Sequence, residues 1–240
     1  MAARDHIALA ADVSLNDALT LYERVVSHVG VVKVGLSLFV EHGAAAVASF
    51  VSRGAKVFLD LKLHDIPNTV ELAAQKAAAL NVAYLTVHAS GGQAMLEAAQ
   101  RGANAGAKAS GHQAPTILAV TVLTSMNAEA LQSTGVTAAP GDQVERLALL
   151  AKAAGLRGLV CSAQEAKQLR ALVGPEWVLC TPGIRPAGVA ANDQSRVETP
   201  ASAIAAGASL LVVGRPIYAA ADPMAAAQAI ERDVAEALKG

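Results

Sequence analysis

A closed (β/α)8 barrel is the fold that this 240-residue sequence predicts, on three observations. Strand-like apolar runs and helix-like segments alternate from end to end at intervals of about 25 to 30 residues, the rhythm of parallel βα units. Eight such runs can be counted, each followed by a crossover, and eight is the number at which a parallel sheet of this kind closes. The length suits one barrel, and no linker, charge block or low-complexity stretch divides residues 1–240, so a single domain is expected. An open doubly wound sheet competes, but it usually has fewer strands and a glycine-rich turn after the first. Here the first strand runs into AADVSLNDAL, without such glycines.

The first strand, IALAADV (7–13), is apolar until Asp12, and a helix over 16–28 follows. The second, VVKVGLSL (31–38), places Lys33 between valines ahead of a helix over 44–53. The third, KVFLDLKL (56–63), has β-branched and large apolar residues interrupted by Asp60 and Lys62; Pro67 then suits the first turn of a helix over 69–80. AYLTVHA (83–89) ends in His88 and leads to a helix over 92–107. TILAVTVLT (116–124), GLVCS (158–162), WVLCTPG (177–183) and SLLVVGRPI (209–217) complete the set, with helices over 142–154, 163–173 and 223–238. The longest connections, near 125–141 and 182–199, have the length of lids over a catalytic face.

A content of 53% hydrophobic and 16% charged residues supplies a sizeable core and argues against disorder. The net charge of -1 leaves no basic excess for nucleic acid or an anionic membrane surface, so a phosphate ligand has to be held locally. The N-terminus lacks a signal-peptide core, and no apolar stretch reaches the 18 or more residues of a membrane span, which makes a cytoplasmic location the expectation. Cys161 and Cys180 lie in apolar runs and read as small buried hydrophobes, without a disulfide or redox role.

The chemistry concentrates in VFLDLKLHDIPNTV, 57–70. Side chains two apart on a strand share a face, so Asp60 and Lys62 project together while Leu59, Leu61 and Leu63 project the other way. Asp65 follows at the strand's carboxyl end, where active sites of barrels gather. A lysine flanked by carboxylates stays protonated, as a proton donor requires. The competing reading, a purely structural buried ion pair, is weak, because desolvation offsets the Coulombic gain. Strand ends of a barrel bring distant residues to one mouth, which adds Asp12, Lys33, His88, Thr124, Ser125, Arg185, Gly214 and Arg215. Lys33 needs carboxylate partners such as Asp12 or Asp60. Arg185 in PGIRP and Arg215 in VVGRPIY, beside Gly214, read as a phosphate site, and Gln194 adds an amide if its loop folds over. His88 reads as a hydrogen-bonded supporting residue, and His64 as facing outward or a subunit interface. No HExxH, CxxC or metal-spaced cluster is present, so no metal is implied.

Taken together, DLKLHDIPNT (60–69), PGIRP (182–186) and VGRPI (213–217) resemble the orotidine 5'-monophosphate decarboxylase family. The family's Asp-x-Lys-x-x-Asp-Ile-x-Asn-Thr pattern is unbroken as Asp60, Lys62, Asp65, Ile66, Asn68 and Thr69, and Asp12, Lys33 and Thr124 also fall where that family has them. The resemblance implies a cofactor-free and metal-free (β/α)8 homodimer that converts orotidine 5'-monophosphate to uridine 5'-monophosphate and carbon dioxide. It implies that Lys62 delivers the proton to C6 within a Lys33, Asp60, Lys62 and Asp65 network. Asp65, Ile66 and Thr69 would enter the neighbouring subunit's site, Asp12 and Lys33 would hold the ribose, and Thr124 and Ser125 the pyrimidine edge. Gln194, Gly214 and Arg215 would take the phosphate, with Arg185 near it on the closing loop.

Two alternatives remain at this point. Sugar-phosphate decarboxylases and aldol-type synthases similar to this family share the Asp-x-Lys-x-x-Asp core but use Mg²⁺; they tend to carry an acid where Lys33 stands, and a lysine there repels the cation. A non-catalytic nucleotide-phosphate sensor is the other, and it has no use for Lys62 between two aspartates.

Overall fold

The computed structural model describes residues 2–186 and 198–239. Within them β1 (Ile7–Ala10), β2 (Val31–Val34), β3 (Lys56–Leu63), β4 (Tyr84–His88), β5 (Thr116–Val120), β6 (Gly158–Val160), β7 (Val178–Thr181) and β8 (Leu210–Val213) form a closed parallel barrel in sequence order. Closure is made by β1 against β8, with Ala8 opposite Val212. The crossovers carry α1 (Leu15–Val25), α2 (Leu36–His42), α3 (Ala44–Val51), α4 (Pro67–Ala78), α5 (Gln93–Ser110) and α6 (Ala128–Ser133). They continue with α7 (Pro140–Ala153), α8 (Ala163–Val173), α9 (Pro200–Ala205), α10 (Arg215–Tyr218) and α11 (Pro223–Ala237). None of these helices is long and apolar enough to cross a membrane.

Strand parity builds two separate cores. Ala8, Val31, Phe58, Leu118, Cys180 and Leu210 point inward and fill the barrel, with Tyr84 crossing Phe58 edge-to-face at 6.0 Å between ring centroids. The alternate residues, such as Ile7, Val32, Leu59, Leu85 and Leu211, pack outward against the helices in a larger shell. The inward stack decides the site: two residues beyond Val31 comes Lys33, and two beyond Phe58 comes Asp60, so both charges sit on top of an apolar plug.

Local chemistry sets the helix starts. Ser14 accepts the N–H of Asp17 at 3.2 Å to cap α1, and Asp222 accepts those of Met224 and Ala225 to cap α11. Pro67 and Pro140 occupy first-turn positions of α4 and α7, where the missing N–H is no loss. The closest helix contact is α4 against α5. A Cβ at Gly102 or Gly106 would collide with the carbonyl oxygens of Glu71 and Gln75, so these two glycines let α5 lie directly on the backbone of α4.

Several strands are shorter than the sequence suggests. The second ends at Val34, and Leu36–His42 is the helix α2 rather than strand. The fifth ends at Val120, leaving Thr124 and Ser125 in the turn beyond it, and the eighth ends at Val213, with Arg215 opening the short α10. Short apolar runs do not distinguish a strand end from the first turn of a buried helix. The 125–141 connection contains α6, and most of the 182–199 connection lies outside the described residues.

Candidate active site

At Lys62 the third strand departs from regular pleat. Its φ is +51°, in the left-handed region, and the pairing with β4 slips around it: Leu59 is opposite Leu85, but Leu63 is opposite Val87. β3 thus advances four residues while β4 advances two, an irregularity that re-aims a side chain. Holding a lysine there costs of order 1 kcal/mol or more, so its neighbours must favour it. The Lys62 backbone N–H donates to Thr86 Oγ1 at 2.9 Å. Its ammonium is held by Asp60, with Nζ 2.8 Å from both Oδ1 and Oδ2.

Lys33 extends the same cluster. Its Nζ is 3.2 Å from Asp12 Oδ1 and 3.9 Å from Asp60 Oδ2, and its side chain is 11% exposed. Gly35 leaves the space for that amine, since a Cβ there would come within 2.8 Å of Nζ. Asp12, Lys33, Asp60 and Lys62 therefore alternate in sign, and each charge has an opposite neighbour. A nearly buried ammonium stripped of its carboxylates costs several kcal/mol, which makes the four mutually dependent.

Two adjoining cavities open beside this quartet and share Lys33, Pro182 and Val212 as walls. The larger, of about 470 Å³, is lined by Asp12, Gly183, Arg185, Gly214, Arg215 and Tyr218 among others. The smaller, of about 210 Å³, is largely apolar, with Phe58, Val120, Val160 and Cys180 facing Asp60, Lys62 and Thr124. Arg185 is 4% exposed; burial lowers its guanidinium from the ordinary value, and the nearby Arg215 pushes the same way, opposed by Tyr218. Two guanidiniums crowded against one cavity create a field that favours an anion there. At the other end, burial lowers the His88 imidazole, and His64 and Lys62 act in the same direction against Asp60, so the ring stays neutral near pH 7.

The candidate residues divide accordingly. The fold brings together Asp12, Lys33, Asp60 and Lys62, with Thr124 beside them and Arg185, Gly214 and Arg215 along the same cleft. It does not bring Asp65, Ile66 or Thr69 into the walls of either cavity of their own chain. Asp65 is exposed and accepts the N–H of Ile66 at 2.7 Å, and Ile66 is 66% exposed at the start of α4. Ser125 is exposed and lines neither cavity, and Gln194 lies outside the described residues. The ring of His64, itself exposed, is 5.5 Å from that of His88 between centroids. Sequence reasoning missed Thr86, whose side chain meets both Asp60 and Lys62, and Tyr218 on α10. Parity along YLTVH was the available signal for Thr86, since it shares a face with inward-pointing Tyr84.

The sequence profile of the orotidine 5'-phosphate decarboxylase / HUMPS family matches residues 5–230. The chain belongs to this family. Within the orotidine 5'-phosphate decarboxylase / HUMPS family, a relative from Anaeromyxobacter sp. named orotidine 5'-phosphate decarboxylase is 52% identical over 227 residues, 94% of this chain and 96% of the relative. One of the same name from Moorella thermoacetica is 50% identical over 236 residues, 98% of this chain and 94% of the relative. The crystal structure of orotidine 5'-phosphate decarboxylase from Lactobacillus acidophilus shares 38% identity and a TM-score of 0.85, over 96% of this chain and 99% of that one. The eight-stranded barrel and the decarboxylase name thus travel together across nearly the whole length.

Proposed function

We propose that this chain is a cytoplasmic, single-domain enzyme that decarboxylates orotidine 5'-monophosphate to uridine 5'-monophosphate in pyrimidine nucleotide synthesis, with Lys62 delivering the proton to C6. The observation that carries this reading is the order of groups along one cleft: two arginines, then an Asp/Lys pair, then an amine held by a carboxylate beside an apolar wall. That order matches the phosphate, ribose and base of one nucleotide. The quartet of Asp12, Lys33, Asp60 and Lys62 is neutral as a group, which leaves Arg185 and Arg215 to balance a phosphate dianion.

In the reaction the bond from C6 to the carboxylate breaks, carbon dioxide leaves, and the electron pair stays in the ring plane at C6. No adjacent π system receives it, so stabilisation must come from a fixed charge. The Lys62 ammonium supplies that charge and then its proton, forming the C6–H bond. Asp60 aims Lys62 Nζ through both carboxylate oxygens, and repels the substrate carboxylate on its side of the ring. Thr124 faces the base, and Asp12 with Lys33 the ribose hydroxyls. Phosphate contacts supply binding energy remote from C6 that can be used to order the site around the base.

The site is completed by a second copy of the chain. Asp65, Ile66 and Thr69 are presented to solvent rather than to their own cleft, and Leu36 (51% exposed), Val40 (82%) and Leu72 (52%) add apolar surface on the same and the preceding βα unit. Exposed apolar groups gathered beside a charged motif suit an isologous dimer in which each protomer hands Asp65 to the other.

The direct test is loss of orotidine monophosphate absorbance in the ultraviolet, with and without a chelator. Turnover unaffected by the chelator is expected; absence of turnover would remove the decarboxylase reading, and chelator sensitivity would move the chain to the Mg²⁺-dependent relatives. Arg215→Ala is expected to raise KM for the nucleotide by about 10²-fold or more, since a charge-assisted contact to phosphate is lost. The same variant should leave binding of uridine, which has no phosphate, within about threefold of wild type. Equal losses for nucleotide and nucleoside would place Arg215 outside the phosphate site.

A further inference from the structure

Thr86 is a fully buried hydroxyl on β4, at 0% exposure, and its two hydrogen bonds both end on the machinery of the site. The Lys62 backbone N–H is 2.9 Å from Oγ1, and an N–H can only donate, so Oγ1 accepts there. The hydroxyl's single proton then goes to Asp60 Oδ1, also at 2.9 Å. Asp60 Oδ1 in turn accepts from Lys62 Nζ at 2.8 Å. The four groups close a ring: Lys62 main chain to Thr86, Thr86 to Asp60, Asp60 back to the side chain of the same lysine.

This ring explains how the irregularity of β3 is tolerated. The register slip between Leu59 and Leu63 takes the intervening β3 residues off the regular ladder with β4, and the Thr86 hydroxyl gives the Lys62 N–H a partner at the point of slip. The same hydroxyl fixes the plane of the Asp60 carboxylate, which grips the amine through both oxygens.

We propose that Thr86 is a positioning residue for the decarboxylation: it touches no substrate and acts by locking the Lys62 backbone and the Asp60 carboxylate into one orientation. This rests on the decarboxylase reading above. Its removal loosens the aim of the amine at C6 and leaves the arginine and ribose contacts, which lie elsewhere in the cleft, in place. The loss therefore falls on kcat and not on KM.

The experiment compares Thr86→Val, Thr86→Ser and Thr86→Cys in steady-state decarboxylation, with uridine 5'-monophosphate binding and thermal melting measured alongside. Thr86→Val keeps the shape and removes both hydrogen bonds; it is expected to lower kcat about 10- to 100-fold with KM and product affinity within about threefold of wild type. Thr86→Ser retains the oxygen and is expected to keep at least about a third of wild-type kcat. Thr121→Val is the control, because the Thr121 hydroxyl, on a residue also buried at 5% exposure, donates to the backbone carbonyl of Val160 at 3.0 Å and makes no hydrogen bond to a charged group among the described residues; it should lower the melting temperature without lowering kcat. Should Thr86→Val fail to fold, Thr86→Cys, with its weak S–H donor, must fall below Thr86→Ser. The inference is overturned by a Thr86→Val enzyme within about threefold of wild-type kcat, by Ser losing as much as Val, by Cys matching Ser, or by an equal loss in Thr121→Val. An inactive wild type would overturn the decarboxylase reading and this inference with it, whereas an active wild type with an equally active Thr86→Val enzyme overturns the inference alone.

Discussion

Lys62→Ala is expected to lower kcat for orotidine 5'-monophosphate by about 10⁴-fold or more, because in the proposed reaction one group supplies both the countercharge and the proton. Neither role passes to a neighbour. Lys33 is tied to Asp12 at 3.2 Å and to Asp60 at 3.9 Å, at the wall shared by the two cavities. Affinity for uridine 5'-monophosphate should fall less than about tenfold, since the phosphate and ribose contacts are untouched. The fold should persist: Asp60 keeps Lys33 and the Thr86 hydroxyl as partners, and the lost ion pair involves a lysine side chain that is 32% exposed. Stopped assays at high enzyme concentration, with a melting curve for each variant, measure both quantities. A Lys62→Ala enzyme with near-normal kcat would show that the proton comes from elsewhere.

The second large effect is expected at Asp65. Asp65→Asn should reduce kcat/KM by about 10² to 10³-fold although Asp65 makes no ion pair among the described residues of its own chain, because in the proposed dimer the carboxylate works in the partner's cleft. Mixing tests that sharing. With equal amounts of Asp65→Asn and Lys62→Ala subunits exchanged at random, half the dimers are mixed and each holds one intact site, so about a quarter of wild-type activity should return. No recovery, after exchange has been verified by mass or by a size tag, would count against a site built from two chains. A wild-type monomer that remains fully active on dilution would do the same.

The barrel and the main charged cluster were legible for a simple reason: both rest on period. Eight apolar runs with helical segments between them gave the closed sheet, and a spacing of two put Asp60 and Lys62 on one face. What escaped was whatever broke period. The parity argument assumes a continuous pleat, whereas Lys62 has a left-handed backbone beside a slipped register, and its N–H is met by Thr86, a residue 24 positions away. The run VVKVGLSL conceals a change from strand to helix at Gly35, since Leu36 and Leu38 are as apolar as the valines before them. Thr124 and Ser125 are neighbours in sequence, but after β5 ends at Val120 the chain turns, so that one lines a cavity and the other faces solvent. Asp65 is legible from its place at the end of β3, but a cross-subunit role for Asp65, Ile66 and Thr69 comes through family resemblance alone, because nothing in a single chain's spacing distinguishes a side chain that meets a partner from one that meets water.

The two cysteines in the wall of the smaller cavity have a chemical consequence. Cys161, just past the end of β6, and Cys180 on β7 are both fully buried, and burial pushes both thiols far above their ordinary range, with Glu165 adding to the effect on Cys161 and Asp60 to that on Cys180. Held as neutral S–H, neither sulfur becomes a rival acceptor for the proton that Lys62 carries, and neither offers oxidants a thiolate. Both side chains are fully shielded although they line that cavity, so their rate of modification by alkylating reagents is a clock for transient opening around it.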